Sequence, residues 1–125
     1  MDSLSELLET AREIKPQRLQ KKLQPILAAG EELEQVFRVL RDLLIFTNRR
    51  LILVDKQGLT GKKTEYHSLP YRSISHFSVE TAGHVDLDST LKIWLMGEQQ
   101  PLVKEFRKRT DIINVQKTLA HYILP

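Results

Sequence analysis

Two short apolar runs flank a polar corner near the middle of the chain. The runs are residues 43–46 and 51–54, and the corner, residues 47–50, reads Thr-Asn-Arg-Arg. Each run is short and rich in strand-forming residues, and Asn48 tolerates the left-handed backbone of a tight turn, so the pattern predicts a β-hairpin. An antiparallel strand with one wet face alternates apolar and polar residues. These runs are apolar on both faces, so something must also cover the second face.

Alternating positions predict further strands on both sides of this hairpin. In the strand before it, Leu33, Phe37 and Val39 are expected on one face. Residues 55–63 are rich in turn formers and are predicted to form a loop. The remaining predicted strands are residues 64–69, 74–80, 91–96 and 102–107. About seven strands at this spacing predict a mainly β fold, an antiparallel sandwich or small barrel.

Helical spacing appears at both ends of the chain. Residues 4–14 and 19–27 each carry apolar residues at helical intervals, although Pro25 interrupts the second pattern. We therefore expect an N-terminal helical extension over residues 1–30, followed by a β domain over residues 31–125. An apolar stripe after Asp111 predicts a C-terminal helix that covers an open end of the barrel. The stripe consists of Ile112, Val115, Leu119, Tyr122 and Ile123.

Composition narrows the chemistry. The 125 residues include 41% hydrophobic and 28% charged residues, with a net charge of +3 and no cysteine. The start of the chain is acidic and amphipathic, unlike a signal peptide, and no apolar run reaches the ~18 residues of a membrane span, so a cytoplasmic protein is expected. The four histidines are scattered, and no nucleophile and base stand in a known pattern. The sequence predicts no catalytic residues, no metal, no cofactor and no nucleic-acid partner.

One phrase resembles a known family. Residues 44–55 read LIFTNRRLILVD, and residues 69–75 read LPYRSIS. Together they resemble the bacterial pleckstrin-homology (PH)-like domain family, whose signature is an apolar strand, Thr-Asn-Arg-Arg, a second apolar strand and a Pro-Tyr-x-x-Ile segment. The resemblance implies a PH-like antiparallel β-barrel with a C-terminal helix. It also implies ring-shaped homo-oligomers built through strand edges.

Basic residues are the candidates for binding an anion or a lipid. Arg49 and Arg50 offer forked donors for a phosphate, or alternatively satisfy loop carbonyls and pair with a carboxylate such as Asp55. The strand at residues 42–46 lacks the basic residue that lipid-binding eukaryotic PH domains use. The full candidate set is Arg38, Arg41, Arg49, Arg50, Lys62 and Lys63.

The interpretation that follows is a non-enzymatic interaction module that self-associates. Either the N-terminal helices or a second subunit would cover the outer face of the hairpin, since large exposed apolar patches usually mark an interface. Candidate interface residues are Leu43, Ile45, Ile52, Val54, Leu4, Leu7 and Leu8. One alternative is peripheral membrane or phosphoinositide binding through the basic residues. Another is a peptide-binding groove between the C-terminal helix and a strand edge.

Overall fold

Two antiparallel sheets and two α-helices form the part of the chain that the structure describes. The structure is a computed structural model that describes residues 16–39, 42–57, 63–81, 88–107 and 112–125. The helices are α1 (Pro16–Leu23) and α2 (Ile112–Ile123). The strands are β1 (Leu33–Val39), β2 (Asp42–Thr47), β3 (Arg50–Gln57), β4 (Lys63–Pro70), β5 (Ile74–Thr81), β6 (Ser89–Leu95) and β7 (Leu102–Phe106).

Strand order follows the chain within each sheet. The first sheet has the order β1-β2-β3-β4 and the second has the order β5-β6-β7, and every pairing is antiparallel. The β2–β3 pair is the predicted hairpin, with Phe46 opposite Leu51 and Leu43 opposite Val54. The mainly β prediction, the strand number and the C-terminal helix are therefore confirmed within the described residues.

The inner core lies between the two sheets and α2. From the hairpin it takes alternate residues such as Leu44 and Phe46, because successive side chains of a strand point to opposite faces. Val115 and Leu119 of α2 are fully buried against this core, as the apolar stripe predicted. The helix thus covers one side of the inner core with its apolar stripe.

The outer face of the hairpin is covered by α1 of the same chain. Leu19 and Leu23 of α1 form a second apolar cluster with the outward residues of β2 and β3. Those outward residues are Leu43, Ile45, Ile52 and Val54, and each is at most 1% exposed. The sequence left two candidates for covering the outer face of the hairpin, the N-terminal helices and a second subunit. The structure shows that the N-terminal helical segment covers it. Leu4, Leu7 and Leu8 lie outside the described residues.

Three details differ from the sequence prediction. A shift of register between Leu33 and Gln35 turns Leu33 to the outer cluster, so it does not share a face with Phe37. β3 continues to Gln57, because its polar end pairs with β4, and the predicted loop at 55–63 therefore starts too early. α1 ends at Leu23, and Pro25 lies in the short 3₁₀ turn Gln24–Ile26 that follows, so the helical pattern does not extend to residue 27.

Candidate functional site

A buried ion pair lies under the polar corner between β2 and β3. The Arg50 guanidinium meets the Glu31 carboxylate at two points, Nε to Oε2 at 2.8 Å and Nη2 to Oε1 at 3.0 Å. The Thr47 hydroxyl donates to Oε2 at 2.7 Å and the Ala28 amide donates to Oε1 at 2.9 Å. Burial raises the pKa of Glu31, but the hydrogen bonds from Arg50, Ala28 and Thr47 outweigh it and lower that pKa to about 2. Glu31 is thus a fixed anion at neutral pH.

The Arg50 side chain joins three segments of the chain. Besides Glu31, it donates to the Ser68 hydroxyl oxygen on β4 at 2.8 Å and to the Ile26 carbonyl oxygen at 2.7 Å. The structure therefore shows the local role of Arg50 that the sequence offered as one alternative. Its carboxylate partner is Glu31, however, whereas Asp55 lies 3.8 Å from the Lys104 amino group.

The other corner residues hold the segment before β1 against the hairpin. The Asn48 side chain accepts a hydrogen bond from the Glu32 amide at 2.9 Å and donates to the Gly30 carbonyl oxygen at 3.1 Å. The Thr47 hydroxyl oxygen accepts from the amides of Arg49 and Arg50 at 3.0 and 2.9 Å. Gly30 has a φ of +77°, a left-handed conformation that glycine adopts without strain.

Tyr71 connects the corner to the 3₁₀ turn that follows β4. Its hydroxyl lies 2.5 Å from the Thr47 carbonyl oxygen and 2.8 Å from the Arg50 carbonyl oxygen, and its single proton serves these two acceptors. Burial, together with nearby carboxylates, raises the pKa of Tyr71. Its ring stacks on Tyr122 of α2 at a centroid distance of 4.5 Å. The two parts of the sequence signature are thus in direct contact, which gives both a structural role.

A cleft of about 490 Å³ opens beside this corner. The segment after α1 forms one side of it, and the corner and the end of β4 form the other. Its apolar lining consists of Pro25, Ile26, Leu27, Ala28 and Pro70, and its polar lining consists of Glu31, Arg49, Arg50 and Ser68. Arg49 is exposed, and its guanidinium has no hydrogen-bond or salt-bridge partner among the described residues.

The predicted basic residues that the structure describes do not form one cluster on the first sheet. Arg50 is opposite Pro70, whereas Lys63 is opposite Gln57 at the other end of β4, about 23 Å away at ~3.3 Å per residue. Arg38 is half-buried and pairs with Leu43, which lies at the level of Tyr66 in β4, between these two ends. The structure therefore brings Arg49 and Arg50 together and separates them from Arg38 and Lys63. Arg41 and Lys62 lie outside the described residues.

The described part of the chain offers few other candidate sites. It contains no group of three or more acidic, histidine or cysteine side chains that could hold a metal ion. Within the same residues, no helix has the length and apolar character needed to cross a membrane. His76 of β5 stacks on Trp94 of β6 with ring centroids 4.5 Å apart, and this contact accounts for the large aromatic side chain in β6.

Comparison with known proteins agrees with the two-sheet fold and its C-terminal helix. The family model described as the bacterial PH domain matches residues 3–123. The chain belongs to the bacterial PH domain family. A crystal structure of a pleckstrin homology domain from Shewanella amazonensis SB2B is similar to this bacterial PH domain, with a TM-score of 0.84, 50% identity and coverage of 98% of this chain and 99% of that one.

Two further relatives support this assignment. A DUF1696-family protein with a pleckstrin-homology domain from Shewanella loihica PV-4 has a TM-score of 0.78 and 46% identity, over 90% of this chain and 100% of that one. The uncharacterized protein YjqA of Bacillus subtilis (strain 168) is 53% identical over 121 residues, which cover 96% of this chain and 97% of YjqA. These descriptions name a domain and a fold, and they name no reaction.

Proposed function

We propose that this bacterial PH domain is a non-enzymatic interaction module that assembles with copies of itself through strand edges. The observation that carries the proposal is β4, an edge strand whose neighbour in the sheet is β3. Five of its eight residues are exposed, and one of them is Tyr66, an aromatic residue of the kind enriched at interfaces. An exposed edge presents backbone donors and acceptors that another strand can pair with.

The second sheet offers a different exposed edge at β5. This strand pairs with β6, and five of its eight residues are also exposed. Because β4 and β5 differ in sequence, pairing β4 of one copy with β5 of the next is a head-to-tail contact. Such contacts close into rings when the rotation between copies allows it. This geometry supports the ring-like assembly that the family resemblance implies.

The burial of the hairpin moves the proposed interface from the sheet face to the sheet edge. Leu43, Ile45, Ile52 and Val54 are covered by α1 in a single copy, so they need no second subunit. The separation of the basic residues along the sheet also favours assembly over lipid binding, since a membrane contact needs cations on one surface.

A charge on the edge tests the proposal. Lysine on an edge strand opposes pairing with another strand, so Tyr66→Lys should shift the sedimentation profile at micromolar concentration toward the 14.5 kDa monomer. Ile113→Lys is the matched control, because Ile113 is 63% exposed and belongs to α2 and to neither edge strand. Circular dichroism would show that both variants fold. Dissociation by Ile113→Lys but not by Tyr66→Lys would place the interface on the helix and overturn the edge mechanism.

A further inference from the structure

The cleft beside the corner combines an apolar wall with donors. Its volume of about 490 Å³ lies within the range of ~300–1,000 Å³ that small-molecule sites occupy. Ile26 on its apolar wall is 43% exposed, and Pro25 and Leu27 adjoin it in the chain. A ligand that covers this wall would remove apolar surface from water.

The charges of the cleft leave one cation available. Arg50 and Glu31 neutralise each other through their two-point contact, and the Glu31 carboxylate oxygens also accept from Thr47 and Ala28. Arg49 contributes only its backbone amide to the hydrogen bonds of the described structure, so its guanidinium retains all its donors. The cleft therefore carries one net positive charge, and this charge is on its exposed rim.

Ser68 adds a second donor to the same cleft. Its hydroxyl oxygen accepts a hydrogen bond from Arg50, and within the described residues its own proton has no acceptor. A guanidinium and a hydroxyl proton can both donate to a ligand, and a carboxylate is a group that only accepts. Hydrogen bonds of this kind are strengthened when the acceptor is charged.

We propose that the cleft binds an aliphatic monocarboxylate. The carboxylate lies against Arg49 and Ser68, and the hydrocarbon chain covers Ile26 and its apolar neighbours. All of these residues belong to one copy, so the cleft is complete in a monomer, and Ser68 alone among the proposed carboxylate contacts lies on the β4 edge. The inference extends beyond the strand-edge assembly, and the two can fail separately.

The test uses sodium octanoate as the probe, below its micelle-forming concentration, with the full ¹⁵N-labelled chain. Octanoate should shift the amide resonances of residues 26–31, 49–50 and 68–69 in a saturable titration. Acetate, which lacks the chain, and octyltrimethylammonium, which reverses the charge, should each bind at least about tenfold more weakly. Arg49→Gln should weaken octanoate binding by about tenfold or more. Arg72→Gln is the matched control, because Arg72 is exposed and does not line the cleft.

Three results would overturn the inference. Equal binding of octanoate and octyltrimethylammonium would show partition on apolar surface without recognition of charge. An unchanged affinity in Arg49→Gln, or resonance shifts outside the cleft, would place the carboxylate elsewhere. Finally, failure of octanoate combined with Arg49-dependent binding to phosphatidylglycerol vesicles would identify this surface as a membrane contact. Repeating the titration with the Tyr66→Lys variant separates the result from assembly, since the cleft is complete in a monomer.

Discussion

Glu31→Gln removes the charge of the buried carboxylate while keeping its shape. The Arg50 side chain is 24% exposed, so it would lose its ionic partner where water reaches it only partly. The new amide group would also face four donors, two from Arg50 and one each from Thr47 and Ala28, with one oxygen where the carboxylate has two. Folding lowers the pKa of Glu31 from 4.5 to about 2. At about 1.4 kcal/mol per pKa unit, Glu31→Gln should therefore lower the unfolding free energy at pH 7 by up to about 3 kcal/mol. This agrees with the ~3–5 kcal/mol that breaking a buried ion pair costs.

The same pKa fixes how this loss depends on pH. The folded pKa of Glu31 lies below its unfolded value, so its stabilisation is fully present above pH 4.5 and disappears as the pH falls through about 2. At pH 3 about 1 kcal/mol of it should remain. The difference in unfolding free energy between wild type and Glu31→Gln should therefore shrink from about 3 to about 1 kcal/mol between pH 7 and pH 3.

Urea denaturation followed by circular dichroism measures this difference at each pH. Glu32→Gln is the matched control, since Glu32 is adjacent and exposed, and its loss should stay within about 0.5 kcal/mol. A cost for Glu31→Gln below about 0.5 kcal/mol, or one that does not change between the two pH values, would refute the role assigned to this ion pair.

Three further variants examine other contacts of the fold. Tyr71→Phe removes a hydroxyl that serves two corner carbonyls and should lower the unfolding free energy by about 1–2 kcal/mol in the same urea assay, whereas no loss would show that water replaces it. Leu19→Ala should cost about 2–4 kcal/mol because Leu19 is fully buried over the hairpin, and Ile113→Ala, at an exposed site, should cost far less. His76→Leu should change the fluorescence of Trp94, the single tryptophan, because it removes the ring that stacks on the indole, and an unchanged emission spectrum would contradict that contact.

The elements could be predicted from the sequence because their signals are local. Alternation indicates most of the strands, whereas β2 is indicated by a continuous apolar run, since Leu44 and Ile45 belong to opposite faces and both are buried. The stripe around Val115 and Leu119 gives α2 in the same way. The Thr-Asn-Arg-Arg corner predicted the family. In the structure this corner has a structural role, because two of its carbonyl oxygens accept hydrogen bonds from the Tyr71 hydroxyl.

The partners of the site residues could not be predicted, because they come from contacts between segments that are distant in the sequence. Hydrophobic periodicity carries no information about such contacts. Glu31 and Arg50 are 19 positions apart, and the pairing of β1 with β2, with Leu33 opposite Thr47, brings them together. Arg49 and Arg50 are adjacent and identical in sequence, yet one is exposed and the other is bound to Glu31. The shift of Leu33 to the outer cluster comes from a bulge, which alternation alone cannot locate.

The mass of the full chain in solution tests the central proposal most directly. Multi-angle light scattering, run on a dilution series at micromolar concentration, compares that mass with the 14.5 kDa of one chain. Assembly through the β4 and β5 edges predicts a defined multiple of 14.5 kDa that persists across the series. A mass of 14.5 kDa at every concentration would contradict it.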